Sequence, residues 1–517
     1  MNGVLFHAGQ MLSTHARLRP RAAGAADLER SLSFRDWNVR ACRLANALRG
    51  IGLNKGDRVA VFAYNRLEWA EIYTAVAKAG LIAVPVNFRL TASEMAFIVS
   101  DSGARAIIFE DALSDVVTQA DQDLSELQLQ YIRIGENKRD KYQNYEDLIR
   151  DASSDEPAVL VLPDDPWCLM YTSGTTGNPK GAIRSHRGMA MLALMTEVEF
   201  RLHRRDHALL VMPMCHANSL NFFAAFLLCG AEMTIFSRPN FDPERCLDAL
   251  GRTTFTSLVP THYAMMLDVP VARRANVASV EKLLVSSAPA FTDTKRAIME
   301  MFPNSGLYEL YGSTEQGWAT MLHPDEQFDH LGTVGREVVG SAPIRMLDGE
   351  GTEVPDGEPG ELFSCSPYQF DGYWNQPEKT AEAMCGRFLS VGDVALRDHD
   401  GFIRLIDRKK NLIISGGENV YPSEVEKVLI EHPNVRDVAV VGIKDVKWSE
   451  RVVAAVVLTP NSTVDAQSLI DWSRGQLAGY KRPREIVFLK PDQMPRNTTG
   501  KILHRRLREM LDHTLPG

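Results

Sequence analysis

The sequence has no apolar run long enough to cross a bilayer: the longest, residues 222–231, falls far short of the roughly 20 residues a spanning helix needs. It also lacks a signal-peptide start, since MNGVLFHAGQ has no basic segment followed by an apolar stretch and a small-residue cleavage site. Cysteine is sparse and scattered: Cys42, Cys168, Cys215, Cys229, Cys246, Cys365 and Cys385 are odd in number and contain no C-x-x-C pair. Such spacing indicates neither a disulfide framework nor a zinc site. Positive charge is in deficit, with a formal net charge of −9. That argues against a nucleic-acid partner, because phosphate contacts demand a clustered basic surface. The basic stretch at residues 501–508 reads as one solvated face of a terminal helix. Together these absences lead us to expect a cytoplasmic protein without a transmembrane segment. The composition, 45% apolar and 24% charged, is that of a folded protein, and 517 residues exceed what one core organises. A large body plus at least one further module is expected.

What is present reads first as alternating helix and strand. Ser33 with Asp36 gives a helix-capping pattern, and Trp37, Ala41, Leu44 and Leu48 then recur at helical spacing until Gly50. Residues 58–62, 82–86 and 106–109 are rich in strand formers, separated by helical stretches at 66–78 and from about Thr91. Strands joined by helix-length segments pair in parallel, so the body is an α/β fold. Pro157, Pro163, Asp164, Asp165 and Pro166 mark a loop before a strand at 167–171. From Gly401 onward the pattern changes to short strands (438–441, 452–458, 485–489) interleaved with helices beginning near Pro422 and Asp465. The expected architecture is a large N-terminal α/β body with parallel sheets, residues 1–408, joined by a hinge to a smaller C-terminal α+β domain, residues 409–517.

The segment YTSGTTGNPKGA, residues 171–182, puts hydroxyls, glycines and a lysine directly after a strand. Such a loop can fold backbone N–H groups around phosphate oxygens, because glycine permits positive φ and close approach. It is not a Walker loop, since Lys180 is followed by Gly181 rather than by serine or threonine.

This string closely resembles the signature of the adenylate-forming superfamily, which includes acyl-CoA synthetases, firefly luciferase and peptide-synthetase adenylation domains. Further segments match in order: LYELYGSTE (307–315), SVGD (390–393), DRKK (407–410) with SGGEN (415–419), and PRNTTGK (495–501). The resemblance implies an AMP-forming carboxylic acid:CoA ligase that uses ATP and CoA as cosubstrates and Mg²⁺ as cofactor. It implies an ATP/AMP site made by Thr172, Ser173, Gly174, Thr175, Thr176, Gly177, Lys180, Ala288, Glu309, Tyr311, Gly312, Thr314, Asp393 and Arg408. Glu315 would hold the metal, a hard cation that takes oxygen ligands. Thr314 would hold the α-phosphate, Tyr311 would lie against the adenine, and Asp393 would accept from both ribose hydroxyls with Arg408 as a second contact. The family's usual threonine before the Gly-Asp pair is Val391 here, which removes a hydroxyl but not the contacting carboxylate.

His216, in MPMCHAN (212–218), falls where the family places a histidine or aromatic residue beside the reacting carboxylate. VSSAPA (285–290) resembles the small-residue turn lining the acyl and adenine pocket. Lys501 matches the catalytic lysine that stabilises charge during adenylation, and Lys410 the hinge about which the small domain turns. Gly416, Gly417 and Glu418 would border the pantetheine channel, with Trp448, Tyr480 and Arg482 near the CoA nucleotide. The acid is a fatty or an aromatic, cinnamic-type one. Segments 212–223 and 259–266 mix apolar residues with Cys215, Asn218, Asn221, Thr261 and His262. Arg184 aside, no cation is evident for a second carboxylate. Alternatives are a ligase that loads an acyl-carrier protein and a non-catalytic nucleotide sensor; a monomer or a homodimer is expected.

Overall fold

The structure, a computed structural model, describes residues 7–136, 142–172, 178–286, 290, 292–415, 418–445, 448–474, 476–496 and 502–514. The chain divides into two compact units: Met1–Pro343 with Ser364–Leu389, and Ile344–Phe363 with Ser390–Gly517.

The larger unit contains two sheets. The seven-stranded sheet has the spatial order Gln143–Asn144, Gln130–Ile134, Ala104–Glu110, Arg58–Phe62, Ile82–Pro85, Pro166–Thr172, Lys180–Ser185. Its neighbours pair in parallel, apart from the final Lys180–Ser185 strand, which returns antiparallel along Pro166–Thr172. In the nine-stranded sheet Gly306–Ser313, Lys282–Ser286, Phe255–Leu258, His207–Leu210, Glu232–Ile235 and Ala23–Asp27 form a parallel centre. Antiparallel strands close both its edges, Gly317–Leu322 and Arg336–Glu337 on one side and Ser31–Ser33 on the other.

Parallel strands bury both faces, so their sequences are continuously apolar and successive side chains serve different cores. Val59 and Val61 face a layer holding the helices Phe34–Gly50, Glu68–Ala79 and Ala217–Cys229, whereas Ala60 and Phe62 face Met95, Ile98 and Val99 of the helix Ala92–Ser102. On the other sheet Leu284 joins the first layer, while Leu283 and Val285 pack with Leu250 and Ile298. The unit is therefore layered helix, sheet, helix, sheet, helix. The Trp37, Ala41, Leu44 and Leu48 stripe lies fully buried in the shared layer, and the Ser33 hydroxyl accepts from the Asp36 N–H as the cap. No helix among the described residues is long and apolar enough to cross a membrane.

In the smaller unit a sheet runs Glu418–Val420, Ile413–Ser415, Ser449–Leu458, Val435–Asp445, with Glu485–Phe488 parallel to Ser449–Leu458. Val438, Val440, Val452 and Ala454 face Val425, Leu429 and Leu469 of the helices Pro422–Ile430 and Ala466–Trp472; Ala439, Val441 and Val453 face Leu507 and Leu511 of His504–Thr514. The two long strands extend beyond the expected 438–441 and 452–458. Their ends carry Lys444, Asp445, Glu450 and Arg451, so apolar patterning marks only the buried middle. A second group pairs Ala342–Leu347 with Gly360–Cys365, then Asp393–Arg397 and Ile403–Arg408. The α/β class with a smaller C-terminal domain is as expected; the early strands at 342–365 are not marked by any run of apolar residues.

Candidate active site

Strand Pro166–Thr172 ends at Thr172, which pairs in register with Lys180 at the start of the returning strand. Across from them, Gly306–Ser313 turns back into Gly317–Leu322, and Glu315 sits in that turn at 7% exposure. The turn depends on Gly312, where an added Cβ would come within 2.0 Å of the Gly317 carbonyl oxygen. Two hydroxyls fix the Glu315 carboxylate: Thr172 donates to Oε1 at 3.0 Å and Tyr373 donates to the same oxygen at 2.9 Å. Among the described residues no hydrogen bond is made to Oε2. A buried carboxylate held in this way through one oxygen fits a hard divalent cation.

Thr314 is held from behind. Arg184, 3% exposed, donates through Nη1 to the Thr314 carbonyl at 2.6 Å, and its Nη2 has no hydrogen-bond partner among the described residues. Burial is the main cause that lowers this guanidinium's pKa to about 10, opposed by Asp371 and Glu315. Arg184 is thus a buried support for the turn rather than a cation facing a substrate's second carboxylate. Tyr311 is buried opposite Thr320 in the same hairpin.

Glu309 is engaged inward. Its carboxylate pairs with the buried Lys295, receives Gln327 Nε2 at 3.4 Å and accepts from the Ala290 backbone. Burial pushes its pKa up and Lys295 draws it back. Through the Ala290 contact Glu309 ties the strand Gly306–Ser313 to Ala290, near the start of the helix Thr292–Met301.

His216 stands just before the helix Ala217–Cys229, accepting the Leu220 N–H through its carbonyl at 3.1 Å. Burial, and then the Arg89 charge, lower its pKa to about 4. Its imidazole is neutral at pH 7, which suits packing beside a carboxylate rather than proton transfer. We expect His216→Phe to leave the limbs of the adenylation pH–rate profile unmoved from pH 6 to 8; loss of a limb near 6.5 would contradict this. Because the unfolded imidazole binds its proton first, the His216 contribution is present above about pH 6.5 and is lost as pH falls toward the folded value. Next to it, Asn218 Nδ2 donates to Ser257 at 3.0 Å and Ser286 at 3.1 Å, tying the helix start to the ends of two central strands. His262 stacks on Phe241 at 4.1 Å.

In the smaller unit Asp393 and Arg408 face each other across neighbouring strands, with Nε to Oδ1 at 3.0 Å. Lys410 follows in a turn set by Asp407, whose carboxylate accepts from Arg408 N–H, Asn411 Nδ2 and the Ser423 N–H at 2.6, 3.1 and 2.9 Å. Glu418 is exposed at the start of its strand. Trp448 carries the Arg484 guanidinium 3.7 Å over its ring. Arg482 instead donates to the Leu477 carbonyl at 3.0 Å, and Tyr480 packs against the apolar core beside Lys481. Ser173, Gly174, Thr175, Thr176, Gly177, Ala288, Gly416, Gly417 and Lys501 lie outside the described residues.

Sequence reading missed Tyr373, Arg184's support of Thr314, and Arg484. Each is a single residue whose partner is far along the chain, so no local pattern announces it.

Known proteins resemble this chain along nearly its whole length. The family model for the AMP-binding enzyme matches residues 12–374, and that for the AMP-binding enzyme C-terminal domain matches residues 424–501. A feruloyl-CoA synthase of Amycolatopsis sp is 34% identical over 95% of this chain and 96% of its own length. A long-chain-fatty-acid–CoA ligase of Mycobacterium tuberculosis is 32% identical over 98% of this chain and 99% of its own. The crystal structure of ATP-bound MatB from Rhodopseudomonas palustris superimposes with a TM-score of 0.88 at 28% identity, covering 98% of this chain and 99% of that one. By sequence and by fold, therefore, this chain belongs to the AMP-binding enzyme family, the adenylate-forming superfamily of acyl-CoA synthetases.

Proposed function

We propose that this acyl-CoA synthetase converts an aryl carboxylic acid bearing a polar ring substituent into its CoA thioester, through an acyl-adenylate. The observation that carries the reading of the nucleotide end is the doubly fixed Glu315 carboxylate beside Thr172 and Lys180. A carboxylate cannot expel oxide, so its oxygen must first become part of a leaving group. The acid attacks the α-phosphorus of ATP, the bond to pyrophosphate breaks, and AMP becomes that leaving group. Negative charge grows on the phosphoryl oxygens, where fixed donors and cations act most strongly. Lys180 would steady the departing phosphates, Thr314 the α-phosphate, and Lys501 the charge in the transition state. Glu315 would hold Mg²⁺, which when bound draws charge from the phosphates. Tyr311 would pack on the adenine, while Asp393, oriented by Arg408, would take the ribose hydroxyls.

Thioester formation then needs a thiol at the carbonyl. We place the hinge at Lys410 and the domain boundary at residues 408–409, so that turning there exchanges Lys501 for the segment at 416–418. The CoA sulfur attacks the acyl carbon, a C–S bond forms and AMP departs with the C–O electron pair. Trp448, with Arg484 stacked on it, would receive the CoA nucleotide, together with Tyr480; Arg482 would contribute by shaping the loop at Leu477.

The acyl side supports an aryl acid more than an alkyl one. Ser257 and Ser286 accept from Asn218 but keep their own hydroxyl protons to donate, and an alkyl chain laid against them would leave those protons without an acceptor, costing about 1–3 kcal/mol. A ring hydroxyl or methoxy oxygen would offer one. The relatives named above include both classes, a feruloyl and a long-chain ligase. The deciding experiment is acid-dependent ATP–pyrophosphate exchange over hydroxycinnamic, benzoic and alkanoic acids, followed by thioester formation with free CoA and with an acyl-carrier protein. Faster turnover of alkanoic acids would refute the aryl assignment, and transfer to the carrier alone would refute CoA.

A further inference from the structure

Three polar side chains meet where the strand order of the nine-stranded sheet reverses. The chain passes from His207–Leu210 to Glu232–Ile235 on one side, then crosses to Phe255–Leu258 on the other. In open α/β sheets the crevice at the carboxyl ends of two such strands is where ligands bind. Ser257 stands near the end of Phe255–Leu258, and Ser286 ends the adjoining parallel strand Lys282–Ser286. Asn218 is the second residue of the helix Ala217–Cys229, which follows the strand His207–Leu210.

The hydrogen bonds among them have a direction. Asn218 Nδ2 donates to Ser257 Oγ at 3.0 Å and to Ser286 Oγ at 3.1 Å, which uses both amide protons. Each serine oxygen therefore accepts, and its own proton turns away from the amide. Both serines are 4% exposed, and among the described residues neither hydroxyl has an acceptor. A buried donor of this kind is costly unless a ligand supplies the acceptor. Because the two amide protons diverge, the hydroxyls flank one spot between them. An oxygen seated there takes both protons, one on each lone pair. An N–H group there would face two donors, and a methyl group would leave both unmet.

We propose that Ser257 and Ser286, oriented by Asn218, read the substituent on the acid's ring and select an acceptor oxygen there, so that alkoxy- and carbonyl-substituted aryl acids are preferred to alkyl- and amino-substituted ones. This rests on the aryl reading above and narrows it. The serines touch the substituent, and Asn218 is a positioning residue that acts through them. Its amide protons set the sense of the cluster. An aspartate in its place would accept from both serines, draw their protons inward and leave lone pairs facing the acid.

The test measures kcat/KM for CoA-dependent AMP release, beside the melting-temperature shift that each acid gives with ATP, a binding readout that needs no turnover. The acids are benzoic and cinnamic acids in matched pairs at each ring position, methoxy against ethyl and amino against methyl. In the parent protein methoxy should exceed ethyl about tenfold at one position, the scale of a buried donor left unmet. Ser257→Ala and Ser286→Ala should each reduce that ratio about threefold, and the double variant should bring it near unity. Asn218→Asp should reverse the preference, with amino above methyl and the methoxy advantage gone. Loosened packing would change the members of a pair alike. A methoxy preference that survives in Asn218→Asp or in the serine double variant, or its absence at every position in the parent, would overturn the proposal. If Asn218→Asp does not fold, the serine variants decide. Turnover of alkanoic acids alone would instead strike the aryl reading, and ω-methoxy against plain alkanoic acids of equal length would then decide the acceptor. Were no acid turned over, the melting shifts of the same pairs would decide it.

Discussion

Replacing Lys501 with alanine should lower acid-dependent ATP–pyrophosphate exchange by about 10²–10³-fold, the loss usual when one preorganised donor to a developing anion is removed. Thioester formation from supplied acyl-adenylate should proceed near the parent rate. The asymmetry follows from where charge appears. In adenylation the α-phosphoryl oxygens gain charge as pyrophosphate leaves, and the ammonium is worth most at that moment. In the second step the attack is at carbon, and under the proposed hinge rotation the lysine would no longer face the reacting group. Rapid-quench assays of the two half-reactions measure this directly, and a matching deficit in both would remove Lys501 from its assigned place.

Glu315→Gln should have the next largest effect, with exchange reduced about 10²-fold and a higher Mg²⁺ concentration at half-saturation. Glutamine keeps an oxygen to accept from Thr172 and Tyr373, so the turn should survive and the melting temperature should change little. What disappears is the negative charge, from which a small divalent cation gains most. A titration of activity against Mg²⁺, read beside the melting curve, distinguishes a lost ligand from a damaged fold. An unchanged Mg²⁺ midpoint would show that the cation is held elsewhere.

The periodic parts of the fold were legible in the sequence because burial writes itself locally. Trp37, Ala41, Leu44 and Leu48 mark one helical face, and the unbroken apolar character of residues 59–62 marks a strand covered on both sides. The motif residues were legible for a different reason, their resemblance to a known family. Pairing was not legible. Nothing near Glu315 indicates that Tyr373, 58 positions away, donates to it. Arg184 likewise read as a possible substrate cation, because burial beneath Thr314 is a property of the assembled hairpin. Arg482 and Arg484 differ by two positions, and only the curvature of the chain decides which one stacks on Trp448.

The way the smaller unit is assembled bears on how the protein can be dissected. Asp393–Arg397 pairs with Gly360–Cys365, through Gly360 opposite Ala395 and Glu361 opposite Val394. A fragment beginning at Ser390 would carry the ribbon formed by Asp393–Arg397 and Ile403–Arg408 with that side stripped. Bare strand edges of this kind invite intermolecular pairing, so such a fragment should precipitate or form oligomers on expression. One beginning at Lys409 would omit the ribbon altogether and retain every strand of the sheet from Ile413 to Phe488.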